Sequence, residues 1–145
     1  MARQTPHRIG QYRHQRVITT RWLDNDAYGH MNNAVHYSLF DTAVNSWLIE
    51  QGALDVAKGE VIGLVVETGC HYFASLGFPK PVTAALRVAH IGRSSVRYEL
   101  ALFGDPEAEA AAQGHFVHVY VERESQRPVE MLPTALRSAL EALRV

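Results

Sequence analysis

Arg21-Trp-Leu-Asp24-Asn-Asp26-Ala-Tyr-Gly29-His30-Met-Asn32-Asn33-Ala-Val-His-Tyr37 is the stretch whose reading decides the rest. Between Asp24 and Asn33 it gathers carboxylates, carboxamides, a glycine and a histidine into one polar segment. An apolar, strand-like run (Val17, Ile18, Trp22, Leu23) precedes it, and a helix-like run from Asn33 to about Gln51 follows. A polar loop ahead of a helix aims its groups at free N–H donors and the positive end of the helix dipole, where an oxyanion or polarised carbonyl is stabilised. A carboxylate beside such an end can serve as nucleophile or general base. The same residue types also make turns, and Asn32 or Asn33 is a suitable N-cap.

Working outward, Tyr12 to Leu23 is expected to be a strand ending at this loop. Beyond the loop, Tyr37, Phe40, Val44, Trp47 and Leu48 recur at helical steps, and Gly52 suits the helix stop. Phe40 and Trp47 are expected in the core. After a polar linker (Asp55 to Glu60), the run Val61 to Phe73 is extended, with Gly63 and Gly69 marking bulges or close backbone approach. Gly77-Phe-Pro79-Lys-Pro81 is a turn. Val82, Ala84, Leu86 and Val88 alternate with polar or small residues, predicting a half-buried strand. Gly92-Arg93-Ser94-Ser95 links it to a second alternating strand (Val96, Tyr98, Leu100, Leu102), as in a hairpin. Asp105 to Gln113 is expected to be a loop, Phe116 to Val121 a last strand, and Pro133 the opening of a short helix.

This order predicts an α+β fold. A strand, a long helix, four strands and a terminal helix give an antiparallel sheet whose apolar face covers the aromatic helix. The 145 residues are the size of one domain, 1–145, with about residues 1–11 expected to fray as a locally basic tail. A net charge of −1 argues against a general nucleic-acid binder. No apolar run is long enough to span a bilayer, and the single cysteine, Cys70, fits a reducing compartment; cytoplasm is the expectation.

Taken whole, Asp24-x-Asp26-x-x-Gly29-His30-x-Asn32-Asn33-x-x-x-Tyr37 running into a helix resembles the signature of the 4-hydroxybenzoyl-CoA thioesterase-like branch of the hotdog-fold thioesterases. The resemblance implies a hotdog fold, a five-stranded antiparallel sheet wrapped around one long central helix. It implies hydrolysis of an acyl-CoA thioester without metal or redox cofactor, in a homodimer or homotetramer with sites between subunits. It assigns the catalytic carboxylate to Asp26 and the carbonyl-polarising backbone N–H to about Asn33. Gly29 would supply a turn conformation or let the thioester approach the backbone. His30 is open to two readings, a site group that binds the thioester or orients Asp26, and a satisfied loop histidine. Asn32 and Tyr37 are candidate substrate contacts, with core packing the alternative for Tyr37; Asp24 is expected to order the loop. Relatives carry basic residues before the fourth strand, so Arg93, Ser94 and Ser95 are the candidates for the CoA phosphates, with Lys80 and Arg97 weaker ones. Val65 and Phe73 are expected pocket walls.

Other classes fit less well. The chain has 8 histidines, but no metal-ligand spacing or His-Glu-x-x-His pattern appears, and His115 and His118 should face opposite sides of a strand. No Gly-x-Ser-x-Gly elbow is present. An acyl-carrier-protein thioesterase, or a non-catalytic protein that binds acyl thioesters, remains the alternative to an acyl-CoA thioesterase.

Overall fold

The computed structural model describes residues 4–145. Asn33–Glu50 forms a single 18-residue helix, α1, capped by Asn32, whose Oδ1 accepts the Ala34 N–H at 3.0 Å. Its buried face is His36, Leu39, Phe40, Ala43, Val44 and Leu48. Phe40 and Val44 are fully buried, and each contributes about 2 kcal/mol by leaving water. Tyr37 and Trp47, expected on this face, lie at its margins and are only partly buried. The true stripe is turned slightly, so that His36, Leu39 and Ala43 join Phe40 and Val44 on the buried side.

Five strands follow the expected order: β1 (His14–Ile18), β2 (Val61–Tyr72), β3 (Val82–Ile91), β4 (Ser95–Phe103) and β5 (Ala112–Glu122). They form one antiparallel sheet in the order β1-β3-β4-β5-β2, with β1 and β2 at its edges. α1 lies across the inner face, against β3 and β4, and the short helix α2 (Thr134–Glu141) closes the far side. This is the hotdog architecture.

The differences from expectation have local causes. Trp22 and Leu23 do not continue β1; with Asp24 they make a 3-10 turn and are 76% and 80% exposed. β2 and β3 are not neighbours, since the segment between them carries the chain across the sheet to the place beside β1. Phe78-Pro79 is a cis bond in that segment, and Lys80 N–H closes the turn onto Gly77 O at 3.2 Å. β2 bulges at Val66, whereas its glycines are sites of close approach: a Cβ on Gly69 would stand 2.9 Å from the His115 ring. The first half of β3 is buried on both faces, because Ile9 and Tyr12 pack over Ala85, Ala101 and Phe103 on the outer side. Of the tail expected to fray, residues 4–11 are therefore tied to the sheet, with the His7 N–H donating to Gln113 Oε1. Residues 1–3 lie outside the described residues.

Candidate active site

The loop between β1 and α1 is built by its own polar groups. Asp24 is 2% exposed; its carboxylate accepts the Arg21 N–H at 2.7 Å and the Arg21 guanidinium at 2.9 and 3.1 Å. Its backbone carbonyl takes the Asn32 N–H at 2.8 Å, bringing the two ends of the loop together. Asp24 is thus consumed in structure.

Asp26 is used differently. Its Oδ1 accepts the N–H groups of Tyr28 at 2.8 Å and His30 at 3.3 Å, while its own N–H reaches His30 O at 2.7 Å. One carboxylate oxygen is thereby fixed by backbone donors, which orients the other without consuming it. Gly29 closes the turn at φ +78°, a left-handed conformation that a side chain would strain. The loop is clamped from outside: Met31 N–H donates to Leu76 O at 2.7 Å, and Asn25 Oδ1 accepts the Phe78 N–H at 3.0 Å.

At the helix start, Asn32 caps the Ala34 N–H, and its carbonyl takes the Val35 N–H at 2.9 Å. None of these bonds uses the N–H of Asn33, the first helical residue. That donor stands at the positive end of α1, and Asn33 lines a cavity of about 300 Å³ together with His30, His36, Tyr72 and Phe73. His30 is exposed and lines this cavity; Asp26 adjoins it through the loop without lining it. Tyr37 packs edge-on against Phe40. A larger depression of about 730 Å³ lies between residues 4–8 and the 107–110 loop, and shares Phe73 and Ala74 with the cavity at the helix start.

The fold adds two site groups that the sequence left unmarked. His36 is 3% exposed, its Nδ1 lies 3.2 Å from Asn32 O, and burial lowers its pKa, so it is a neutral ring with Nδ1 as donor. Tyr72 stands edge-on to it at 4.7 Å and donates its hydroxyl to Asn33 O at 2.9 Å. A histidine one helical turn past a cap and a strand-end tyrosine far along the chain carry no joint signal before folding. Cys70 also lies on β2, but burial pushes its thiol up to about 11, so it is protonated and a poor nucleophile.

Arg93, Ser94 and Ser95 are placed elsewhere in the chain. Their turn joins β3 to β4, while the first residue of β3, Val82, lies at the loop end of the sheet. A strand of this length separates them from the loop by roughly 30 Å. The exposed Arg93 shares a cleft of about 680 Å³ with Ser94, Met131 and Arg137. Arg137, which the sequence reading missed, donates to Gly92 O at 3.2 Å. Phe73 lines the cavity at the helix start, whereas Val65 lies further along β2. His115 and His118 do face opposite sides of β5: the first bonds Glu67 at 2.8 Å on the outer face, and the second packs against Tyr98 inside. Among the described residues no His, Cys, Asp or Glu group is arranged to hold a metal.

The model of the thioesterase-like superfamily matches residues 20–140. Among solved structures, the PA5185 protein of Pseudomonas aeruginosa strain PAO1 is 57% identical, with 94% of each chain covered and a TM-score of 0.91. The PA2801 protein of Pseudomonas aeruginosa, suggested to be a thioesterase, is 27% identical over 89% of this chain and 98% of that one, with a TM-score of 0.81. Slr0204, a 1,4-dihydroxy-2-naphthoyl-CoA thioesterase from Synechocystis, shares the fold at 15% identity, covering 87% of this chain and 93% of its own, with a TM-score of 0.78. No curated protein matches significantly. With a family match over most of its length and a motif-bearing loop set on a hotdog fold, the chain belongs to the thioesterase-like superfamily and is a thioester hydrolase.

Proposed function

We propose that the protein hydrolyses an acyl-CoA thioester to a free carboxylic acid and CoA, with Asp26 as the reacting carboxylate and the Asn33 N–H as the oxyanion donor. The observation that carries this reading is the unused N–H of Asn33, a cavity-lining residue at the positive end of α1, with the Asp26 carboxylate held by the adjoining loop. A thioester carbonyl is poorly stabilised by resonance and the thiolate leaves readily, so one carboxylate and one aligned donor suffice and the scheme asks for no metal. In the general-base form, water attacks the carbonyl carbon as its proton passes to Asp26. The C–S bond then breaks, and the departing thiolate recovers that proton. In the nucleophilic form, Asp26 itself attacks and the C–S bond breaks to expel the CoA thiolate. Water then cleaves the resulting anhydride to the free acid and the Asp26 carboxylate, its proton going to the thiolate. His30 lies on the cavity wall in contact range of the thioester, while Gly29 and Asn32 shape the loop and the helix cap. Tyr37, packed on Phe40 one turn further along α1, remains a candidate acyl contact.

A homodimer completes the proposal. β2 is an edge strand with Leu64, Val65 and Val66 exposed at 38%, 48% and 59%, an apolar edge that a second copy would cover. Antiparallel pairing of β2 with its symmetry mate sets the Tyr72 end of one copy beside the Val61 end of the other. The partner's β3–β4 turn would then approach the cavity that the same turn cannot reach within one chain. On this arrangement Arg93, Ser94 and Ser95, with Arg137, meet the phosphates of CoA bound at the neighbouring subunit.

The test is hydrolysis of short, medium, long and aromatic acyl-CoAs, followed by thiol release, for the wild type and Asp26→Asn. Turnover that falls by two or more orders of magnitude in the variant is the expected result, on the order of an essential acid–base group. Equal low rates in both proteins would remove Asp26 from the chemistry. They would favour a carrier-protein-linked substrate or a binding role.

A further inference from the structure

The N–H proposed as the oxyanion donor belongs to a peptide group that the fold holds by its other end. Asn33 N–H and Asn32 O are opposite ends of one planar, trans unit, so whatever fixes the oxygen aims the hydrogen the other way. Asn32 O takes the Val35 N–H at 2.9 Å and lies 3.2 Å from His36 Nδ1. A carbonyl has no proton to give, so His36 carries its hydrogen on Nδ1 and donates it. Burial lowers the His36 pKa against the pull of these backbone contacts, and the ring is neutral. The carbonyl on the other side of Asn33 is held as well. Asn33 O accepts the Tyr72 hydroxyl at 2.9 Å, from the end of β2. The two rings meet edge-on at 4.7 Å, so each restrains the other.

Other side chains of α1 make the same kind of bond to no such end. Thr42 Oγ1 and Asn45 Nδ2 each donate at 2.9 Å to the carbonyl four residues back, those of Ser38 and Asp41. Those carbonyls lie within the helix, where the N–H of the same peptide unit is already engaged in the ladder. Asn32 is the cap, and no hydrogen bond among the described residues takes the N–H of its peptide unit. Donors on Asn32 O draw electron density towards the oxygen and leave that N–H a stronger donor, adding to the helix dipole. A leucine or phenylalanine would fill the buried place of His36 without this effect.

Resting on the thioesterase reading above, we infer that His36 is a positioning residue for the hydrolysis. Through the Asn32–Asn33 peptide it aims and polarises the N–H that receives the oxyanion, and Tyr72 braces the next carbonyl. His36 moves no proton in this role. Negative charge on the thioester oxygen is greatest in the tetrahedral intermediate, so the gain falls on the chemical step and not on substrate binding.

The test compares the full-length wild type, His36→Phe and His36→Asn on the acyl-CoA that turns over fastest. Asparagine keeps a donor where Nδ1 stands, and Asn45 shows that such a group on α1 reaches the carbonyl four residues back. Losing a direct oxyanion donor costs about a hundredfold or more in kcat, so losing its support in His36→Phe is expected to cost about tenfold with KM nearly unchanged. His36→Asn regains most of that rate, and Tyr72→Phe, which loses only a hydroxyl, lowers kcat in the same manner. A fall carried by KM, or one that asparagine fails to restore, would leave His36 a packing residue and overturn the assignment. Nuclear magnetic resonance gives a readout without turnover. Donors on a carbonyl deshield the following amide nitrogen, so the Asn33 nitrogen moves upfield in His36→Phe and returns in His36→Asn. The wild-type ring nitrogens show the tautomer protonated on Nδ1, a result that stands even where the phenylalanine variant does not fold. An unmoved Asn33 nitrogen, or a ring protonated on Nε2 alone, would overturn the assignment. These signals decide on His36 even if Asp26→Asn keeps full turnover or no acyl-CoA is hydrolysed, so the two readings fail separately.

Discussion

Asp24 and Asp26 are two residues apart and chemically alike, yet the fold spends one and leaves the other. Asp24 is buried against Arg21, while Asp26 accepts two backbone N–H bonds on one oxygen only. Which of the two would be consumed by structure follows from the backbone path through Gly29 and the Asn32 cap, not from residue type. Gly114 shows a comparable demand from the core. A Cβ there would run into the Phe40 ring and lie 2.8 Å from Gly69 O, and Phe40 is fully buried. Gly114→Ala is therefore expected to cost about 1–3 kcal/mol of stability, measured by urea unfolding. His118 supplies a pH signature. Its pKa falls from 6.5 unfolded to about 4 folded, so the unfolded state binds the extra proton and stability is lost as pH drops through that window. The full difference is about 3 kcal/mol. Urea midpoints between neutral and acid pH should fall less steeply in His118→Phe than in the wild type, and parallel curves would contradict the shift.

At the scale of elements, α1 was legible because its cap, length and period are local. Its rotation was not. The two ends of the buried stripe trade Tyr37 and Trp47 for His36, Leu39 and Ala43, since the sheet's twist decides which ridge faces inward. β3 shows the same limit. Its alternation predicts one wet face, but Ile9 and Tyr12, from a segment expected to fray, cover that face with apolar side chains. β2 was recognised as long and bent, while its bulge fell at Val66 instead of at a glycine. The extra residue changes the alternation there and, with it, which side chains of β2 share a cavity with Asp41 and Asn45 of α1.

For the whole molecule, the residues proposed for the site do not meet within one chain. The loop and the free helix N–H sit at one end of the sheet, and Arg93 and Arg137 sit at the other. If the exposed edge of β2 joins two copies, a charge placed there separates them. Val66→Lys is expected to shift the protein from dimer to monomer in sedimentation and to raise KM for acyl-CoA, because the partner's cationic turn leaves the site. A monomer with unchanged KM would show that Arg93 and Arg137 serve no neighbouring site.

Within single segments, the sequence by itself determined the bounds of α1, the positions of the strands, and the polar loop that marks the family. Helix periodicity, strand alternation and cap chemistry act over a few residues and are written in neighbouring positions. Only the tertiary structure decided the strand order, the burial of both faces of β3, the meeting of His36 with Tyr72, and the distance of Arg93 from the loop. Those depend on pairings between residues far apart in the chain. Each is settled when the sheet closes around α1 and every strand must find a neighbour for its backbone groups.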